Sequence, residues 1–530
     1  MRNQPAWLVV AALLMPDILT GADWPQFRGP MLDGSTPETI RTNWTQQPLQ
    51  VAWSRAIGPG WSGAAVVGGL LVTQALETRE SGPREVCLAF EATTGRPLWS
   101  RDVEDAAYDS LVGYDSWLNG PRSTPTLVGD RVIVLTSRLK LYGLDADTGE
   151  IAWQRDLIAE LGGSVIRWQA AASPLVVGDL VFVNANAPER GLLGIRWADG
   201  RTVWRNHDEP MTHASPALGV ISGVPQVIFL TQRGLVALVP ETGELLWRSD
   251  FLPSSTSTAA TPVIARDHVY ASAAYSAGAW GIHVSRAGDG FNASQVWRHR
   301  ATAFQNHWST PVEHQGHLYS IVEAGTAGDG GDGRLRSLAC LDLTAGVNRW
   351  VTTGVGAGHV GRGGLLKAGD HVLVLCESGE LVLVQPDPAA YVEVARQQIL
   401  RDGLCWGAPT LAGGLLFARN SPHLDRNGNV ASGQLIAVAV APKPDRLPPL
   451  TLSAGSGRSA QTLVVRVGAH DGTPLGASHA PRIGLRTSGS LSGPAGGWTP
   501  ISAAWRVVRG GLEAEIPAAV DTQFLQVQGQ

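Results

Sequence analysis

Gly143-Leu144-Asp145-Ala146-Asp147-Thr148-Gly149-Glu150-Ile151-Ala152-Trp153 is the stretch that decides the fold. It reads as a strand, a Thr-Gly turn that needs positive φ at glycine, and a return strand bearing one large ring. The same spacing returns from Ala89 through Gly95 to Trp99, from Gly194 through Gly200 to Trp204, from Ala237 through Gly243 to Trp247, and from Cys340 through Gly346 to Trp350. Trp53 and Trp297 occupy the same slot behind a degenerate or lengthened turn.

Between these hairpins lies a second signal, a short strand, a Gly-Asp type of turn and a β-branched strand, as in Pro125 to Val134 and Pro174 to Val183. Aligned on the proline, the copies fall at Ala64, Pro125, Pro174, Pro216, Pro262, Pro311, Leu365 and Pro409. Their mean spacing of about 49 residues suits four strands per propeller blade. The last unit runs out at Val440 without an outer strand, and a spare one, Val51 to Ile57, stands at the other end of the domain. The expected fold class is all-β: an eight-bladed β-propeller closed by this N-terminal strand, which removes the free edges of an open array. An open solenoid would leave the strand unexplained.

The composition agrees. Gly 63 and Pro 33 leave little room for helices of ordinary length, and Trp 19 outnumbers Phe 9 and Tyr 7, as a repeated slot for one ring demands. Lys+Arg 41 against Asp+Glu 46 gives a net charge of −5, which recruits neither nucleic acid nor an anionic membrane. Arg2, the apolar run Ala6 to Met15 and Thr20-Gly21-Ala22 have the layout of a cleavable secretory signal. The expected domains are therefore a signal peptide at 1–22, a propeller at 23–445 and a small β-sandwich-like module at 446–530. Expected strands of that module are Thr462 to Val467, Arg482 to Arg486, Ala503 to Val508, Leu512 to Ile516 and Phe524 to Val527, with a turn at Arg509-Gly510-Gly511. No cysteine near the cleavage point offers a lipid anchor, so the mature protein is expected to be periplasmic or secreted and not membrane-inserted. Cys87, Cys340, Cys376 and Cys405 read as buried thiols, with a Cys340–Cys376 bridge left open.

The small-x-Asp-x-x-Thr-Gly-x-x-x-Trp repeats resemble the tryptophan-docking repeats of the pyrroloquinoline-quinone (PQQ) propeller superfamily. Asp23-Trp24-Pro25-Gln26-Phe27-Arg28-Gly29-Pro30 looks like the opening of exported PQQ-like repeat proteins. The resemblance implies either a quinoprotein dehydrogenase, with PQQ and Ca²⁺ beside a pair of adjacent cysteines, or a non-catalytic propeller like that of outer-membrane protein assembly. No two cysteines are adjacent here, and no residues match the family's metal-binding carboxylate and amide or its catalytic aspartate.

Residues just before the proline slot converge at the channel mouth of a propeller. Three positions before it stand Trp61, Arg122, Ala171, His213, Ala259, Trp308, Arg362 and Trp406. Ring order then sets three indoles and two guanidinium groups opposite a roomier wall. The candidate ligand-binding residues are Trp61, Arg122, His213, Trp308, Arg362 and Trp406, with Asn306, His307, His359 and Trp168 behind them. Such a wall suits a planar, carboxylated or sugar-like ligand, or a peptide anchor, and packing of the mouth is the plain alternative.

Other signals carry less. Gly356 to Gly361 matches a dinucleotide fingerprint in letters but joins two strands. Asp425 to Asn429 starts like a calcium loop but lacks its glycine and bidentate glutamate, and Gly328 to Gly333 reads as a surface loop. The leading expectation is a non-catalytic binding propeller with a protein, peptide or glycan at the mouth and no cofactor. The alternatives are a PQQ- and calcium-dependent alcohol or aldose dehydrogenase, and a carbohydrate-active enzyme using two of Asp115, Asp208, Glu209 and Asp402.

Overall fold

Hydrogen bonding between neighbouring strands builds eight sheets from Asp23–Ala441, seen in a computed structural model. The structure describes residues 22–106, 119–250, 258–274, 277–299, 304–324, 335–352, 360–422 and 433–441, and the backbone of strands within 450–529. Most of the expected export signal thus lies outside the described residues. A second unit combines Pro442–Gln530 with Met1–Ala22.

Each blade is built on a four-stranded antiparallel meander, for example Thr126–Val128, Arg131–Leu135, Lys140–Asp145 and Ile151–Asp156, and blade 7 carries a fifth, parallel strand. Blades 1 to 7 use consecutive strands. Blade 8 takes Thr410–Ala412, Leu415–Arg419 and Gln434–Ala439 and borrows Gln50–Ala56 as its outer strand, Trp53 lying opposite Ala437. Closure therefore uses the spare strand that the repeat count left over.

The repeated tryptophan works in two directions. Within its blade it lies opposite a small residue at a register shift, as Trp153 does with Gly143. A Cβ on Gly143 would sit 2.3 Å from the Trp153 ring, so the close approach depends on glycine there. Towards the next blade the indole N–H donates to a turn carbonyl: Trp53 to Ala92 (2.8 Å), Trp99 to Ala146 (2.9 Å), Trp204 to Pro240 (2.7 Å) and Trp297 to Leu343 (2.7 Å). Its ring also covers the turn glycine, Gly149 at φ 70° beneath Trp99 being one case. Trp247 departs, donating to Gln226 of its own blade at 2.6 Å.

At the axis a ladder of hydroxyls joins the inner strands. Gly63 N donates to Thr124 Oγ1, Thr124 N to Ser173 Oγ and Ser173 N to Ser215 Oγ, at 2.8–3.1 Å. Thr410 Oγ1 donates to Ala64 O at 2.7 Å across the closure. The Ser/Thr that precedes so many of the slot prolines thus bonds one blade to the next. The hydrophobic cores lie between blades. Cys87, Cys340, Cys376 and Cys405 are buried in them as free thiols, so no Cys340–Cys376 bridge forms. The one stretch of α-helix among the described residues, Leu157–Leu161, is capped by Asp156, so long-range strand pairing carries the fold.

The segment before the closing strand was not foreseen as structure. Trp24 pairs with Val66 of blade 1, Leu127 N of blade 2 donates to Pro25 O, and the Gln26 amide bonds Val176 N and O of blade 3. Arg28 donates to Thr310 O and Pro311 O of blade 6, and Ser35–Thr36 run parallel to Lys367–Ala368 of blade 7. Gln26 and Arg28 are joined by about 7 Å of chain at most. They nevertheless reach inner strands three blades apart, so the segment crosses the lumen.

The C-terminal unit holds two antiparallel sheets. One orders Leu450–Ser456, Thr462–Ala469, Gly511–Pro517 and Arg506–Val508; the other orders Thr499–Ile501, Ile483–Ser488 and Phe524–Gly529. Val508 pairs with Gly511 across the expected turn. Leu450–Ser456 and Thr499–Ile501 are strands that the residue pattern did not announce.

Candidate functional site: a cup at the propeller mouth

All eight residues three before the proline slot line one cavity of about 580 Å³. Inner strands start at the mouth, so loops from eight blades deliver one side chain each to the same level. Trp61 and Trp406 stack with centroids 4.4 Å apart, and Trp308 leans on Trp406 at 4.9 Å. The Arg362 guanidinium lies over Trp308 at 5.5 Å, and His307 packs on the same indole at 4.3 Å. Ala171, His213 and Ala259 line the cavity from the blades opposite.

Other lining residues come from outside that position. Trp24, Phe27 and Arg28 of the lumen-crossing segment form a floor, which makes the channel a cup, and Arg167 stands beside Trp168 with its guanidinium 5.5 Å from the ring. Of the second-rank candidates, His307 and Trp168 line the cup, whereas Asn306 does not. Its amide donates to Ile321 O at 2.7 Å inside the blade 6 core. His359 lies outside the described residues.

Arg28, Arg122, Arg167 and Arg362 all line the cup, and among the described residues no Asp or Glu does. Arg362 Nε sits 3.4 Å from Glu323 Oε1, and Arg122 donates to Asn119 Oδ1 (2.8 Å) and Trp168 O (3.0 Å). Arg28 donates to backbone carbonyls of Thr310, Pro311 and Asp33; burial lowers its pKa to about 10, against the opposing charge of Asp33.

Two acids stand behind the lining. Glu323 faces His307, Arg362 and Arg336; burial raises its pKa, but the His307 hydrogen bond and those three cationic groups outweigh burial and hold it down to about 2. Glu377 accepts the Trp406 indole N–H at 2.5 Å and the Arg362 backbone N–H at 3.2 Å, fixing both side walls. Glu323 lies near the end of the second strand of blade 6, His317–Ala324, and Glu377 just after that of blade 7, His371–Leu375, where each strand returns to the mouth at which the first strand began. That antiparallel return is the signal which could have located them in the sequence. His213 is buried, and neither ring nitrogen has a hydrogen-bond partner of good geometry. Burial first, then the Arg122 charge, lower its pKa to about 4, so the imidazole is neutral near pH 7.

Asp208 pairs with Arg233 at 3.1 Å, Glu209 is buried against Arg248 and Thr231, and Asp402 is exposed; none of the three lines the cup. Asp115 lies outside the described residues, as do Asp425 to Asn429, Gly328 to Gly333 and Gly356 to His359. After Gly361 the chain enters the strand Gly364–Ala368, without the helix a dinucleotide site needs.

Comparison with known proteins meets this geometry at the repeats. Residues 83–288 match a PQQ-repeat family model described as outer membrane protein assembly factor BamB. Those residues are PQQ-like propeller repeats. Proteins named outer membrane protein assembly factor BamB from Moranella endobia (strain PCIT) and Yersinia pestis are each 23% identical, over 34% and 41% of this chain and 46% and 54% of their own lengths. The chain thus spans about half the length of the curated relatives it matches. Quinohemoprotein alcohol dehydrogenase from Comamonas testosteroni shares the PQQ-like propeller fold at TM-score 0.57 and 16% identity, over 82% of this chain and 83% of that one. The enzyme ADHIIG from Pseudomonas putida HK5 does so at TM-score 0.55 and 15% identity, over the same shares.

A dehydrogenase's calcium requires hard oxygen donors. Among the described lining residues the cup offers hydroxyls and the Asn119 amide oxygen, already accepting from Arg122, and no carboxylate to hold the ion or receive a proton. The described lining does not fit the calcium–quinone group.

Proposed function

We propose that the protein is an exported, non-catalytic PQQ-like propeller that holds a partner at its mouth, in the manner of a scaffold. The observation that carries this reading is the lining itself: three packed indoles and four guanidinium groups, with no acid among the described lining residues. Such a surface binds through aromatic contact and charge-assisted hydrogen bonds. Among the described lining residues it offers no carboxylate to accept a substrate proton or to hold a metal. The relatives named as assembly factors support a binding role, and the secretory layout of residues 1–22 supports export. Neither a cofactor nor a metal enters this reading.

The Trp61→Ala/Trp406→Ala double variant tests it. Ligand capture at the mouth, a protein, peptide or glycan, should fall at least tenfold while the melting curve stays nearly unchanged, since both rings are only half-buried. A large loss of stability with capture intact would show that the indoles merely pack the mouth.

A further inference from the structure

We infer that Trp168 is the stacking platform of the cup and receives the sugar ring at the end of a glycan; the inference rests on the binding role proposed above and specifies its ligand.

Three features converge on this indole. The first is backbone strain. Trp168 has φ 71° and Gln169 φ 62°, two consecutive residues with side chains in the left-handed region. That conformation is costly for a bulky residue and free for glycine. It is held by Arg122, which donates to Trp168 O at 3.0 Å, and by the backbone bonds Gln169 N to Ile166 O and Ala170 N to Ser137 O, both 2.9 Å. Strain of this kind concentrates at ligand clamps. An indole at a position that suits glycine points to a use for the ring itself.

The second feature is an open face. Trp168 lines the cup and is half-buried. The Arg167 guanidinium lies 5.5 Å from its centre, and among the described residues no other ring packs against it. The opposite wall differs. Trp61 is stacked on Trp406, and Trp308 is packed by Trp406, His307 and Arg362, so those faces are engaged within the wall.

The third feature is the polar company of Trp168. Arg167, Arg122 and Asn119 also line the cup, Arg122 donating both to the Trp168 carbonyl and to Asn119 Oδ1. Planar guanidinium and amide groups beside an aromatic platform suit the hydroxyls of a pyranose whose C–H face packs on the indole. An aromatic side chain of a protein would set apolar ring edges against the same polar groups. None of these contacts requires a charge on the ligand.

Access selects a chain end. The N-terminal segment closes the floor, so the middle of a polymer cannot pass through. That segment also bonds the inner strands of blades 1, 2, 3 and 7 through Trp24, Pro25, Gln26 and Ser35–Thr36. Those strand edges are unavailable for adding a peptide strand, which disfavours an extended peptide, whose affinity in that mode comes from main-chain hydrogen bonds.

The experiment is calorimetric titration of the full chain at neutral pH with maltotriose, cellotriose, xylotriose and triacetylchitotriose, beside the peptide Gly-Phe-Gly. We expect at least one sugar trimer to bind one-to-one and more tightly than the peptide. Trp168→Ala should weaken it at least tenfold, and Trp168→Phe, which keeps a platform, by a smaller factor. Trp168→Gly separates binding from packing. It should lose the sugar as Trp168→Ala does while its melting temperature stays level or rises, because glycine takes this φ without strain. A large fall in that melting temperature would make the ring a packing group and overturn the inference. Equal trimer binding by wild type and Trp168→Ala overturns it too, as does tighter binding of the peptide. Absence of binding by every trimer at millimolar concentration overturns it as well. If in that last case a protein partner still binds and loses affinity in Trp61→Ala/Trp406→Ala, the ligand class is wrong and the binding role stands.

Discussion

Single side chains divide sharply between those that hold the ring and those that face the cup. Trp204 is buried, donates to Pro240 O and lies over Gly243 of the next blade. Trp204→Ala should cost roughly 3–5 kcal/mol of stability in a denaturant titration, the usual range for a large ring lost from a core. Trp61→Ala should cost little stability and much affinity, and the contrast between the two is readable on one instrument. His213 predicts a pH dependence. Its pKa falls from the ordinary 6.5 to about 4 on folding. Between those values the unfolded chain binds the extra proton, so stability is full above about pH 6.5 and declines as pH falls towards 4. A shift of that size corresponds to on the order of 3 kcal/mol. His213→Gln should flatten the decline over that window in melting curves recorded at successive pH values. Glu323, held near 2, adds a separate loss only below its ordinary carboxylate range.

At the scale of elements, the hairpin turns and the lumen-crossing segment make different demands. Gly149 has φ 70° and a Cβ there would lie 2.6 Å from the Trp99 ring, so Gly149→Ala meets backbone strain and a clash together. It should destabilise by more than about 1 kcal/mol in equilibrium unfolding. Deleting residues 23–38 while keeping Gln50–Ala56 should leave the ring closed and its floor open. In hydrogen exchange the amides of Val66, Leu127 and Val176, which donate to Trp24, Pro25 and Gln26, should lose protection while the outer strand of blade 8 keeps it. The turns and the closing strand were legible in the sequence because a hairpin is local and a repeat counts its own strands. The floor was not legible. Trp24 to Thr36 has no periodicity of its own and is anchored by strands whose partner residues lie 42 to 332 positions away in the chain. Glu323 and Glu377 escaped for a related reason: only the start of each blade was read, and the antiparallel partner brings its end to the same place.

For the whole molecule, closure turns a one-dimensional repeat into a ring in which equivalent positions become neighbours. That is why one offset from the proline slot predicted a constellation of side chains spread over 346 residues, from Trp61 to Trp406, and why all eight meet around one cavity. Likeness to alcohol dehydrogenases concerns the ring, since the fold is shared at 16% identity while the lining carries no acid among the described residues. Chemistry is therefore the test of the cup. With PQQ and calcium supplied, alcohol- or aldose-dependent dye reduction by the purified protein measures whether a reaction centre exists. A non-catalytic cup gives no turnover above a heat-denatured control, with or without calcium, even if the anionic quinone lodges among the arginines. Calcium-dependent reduction with one quinone per chain would overturn the binding role.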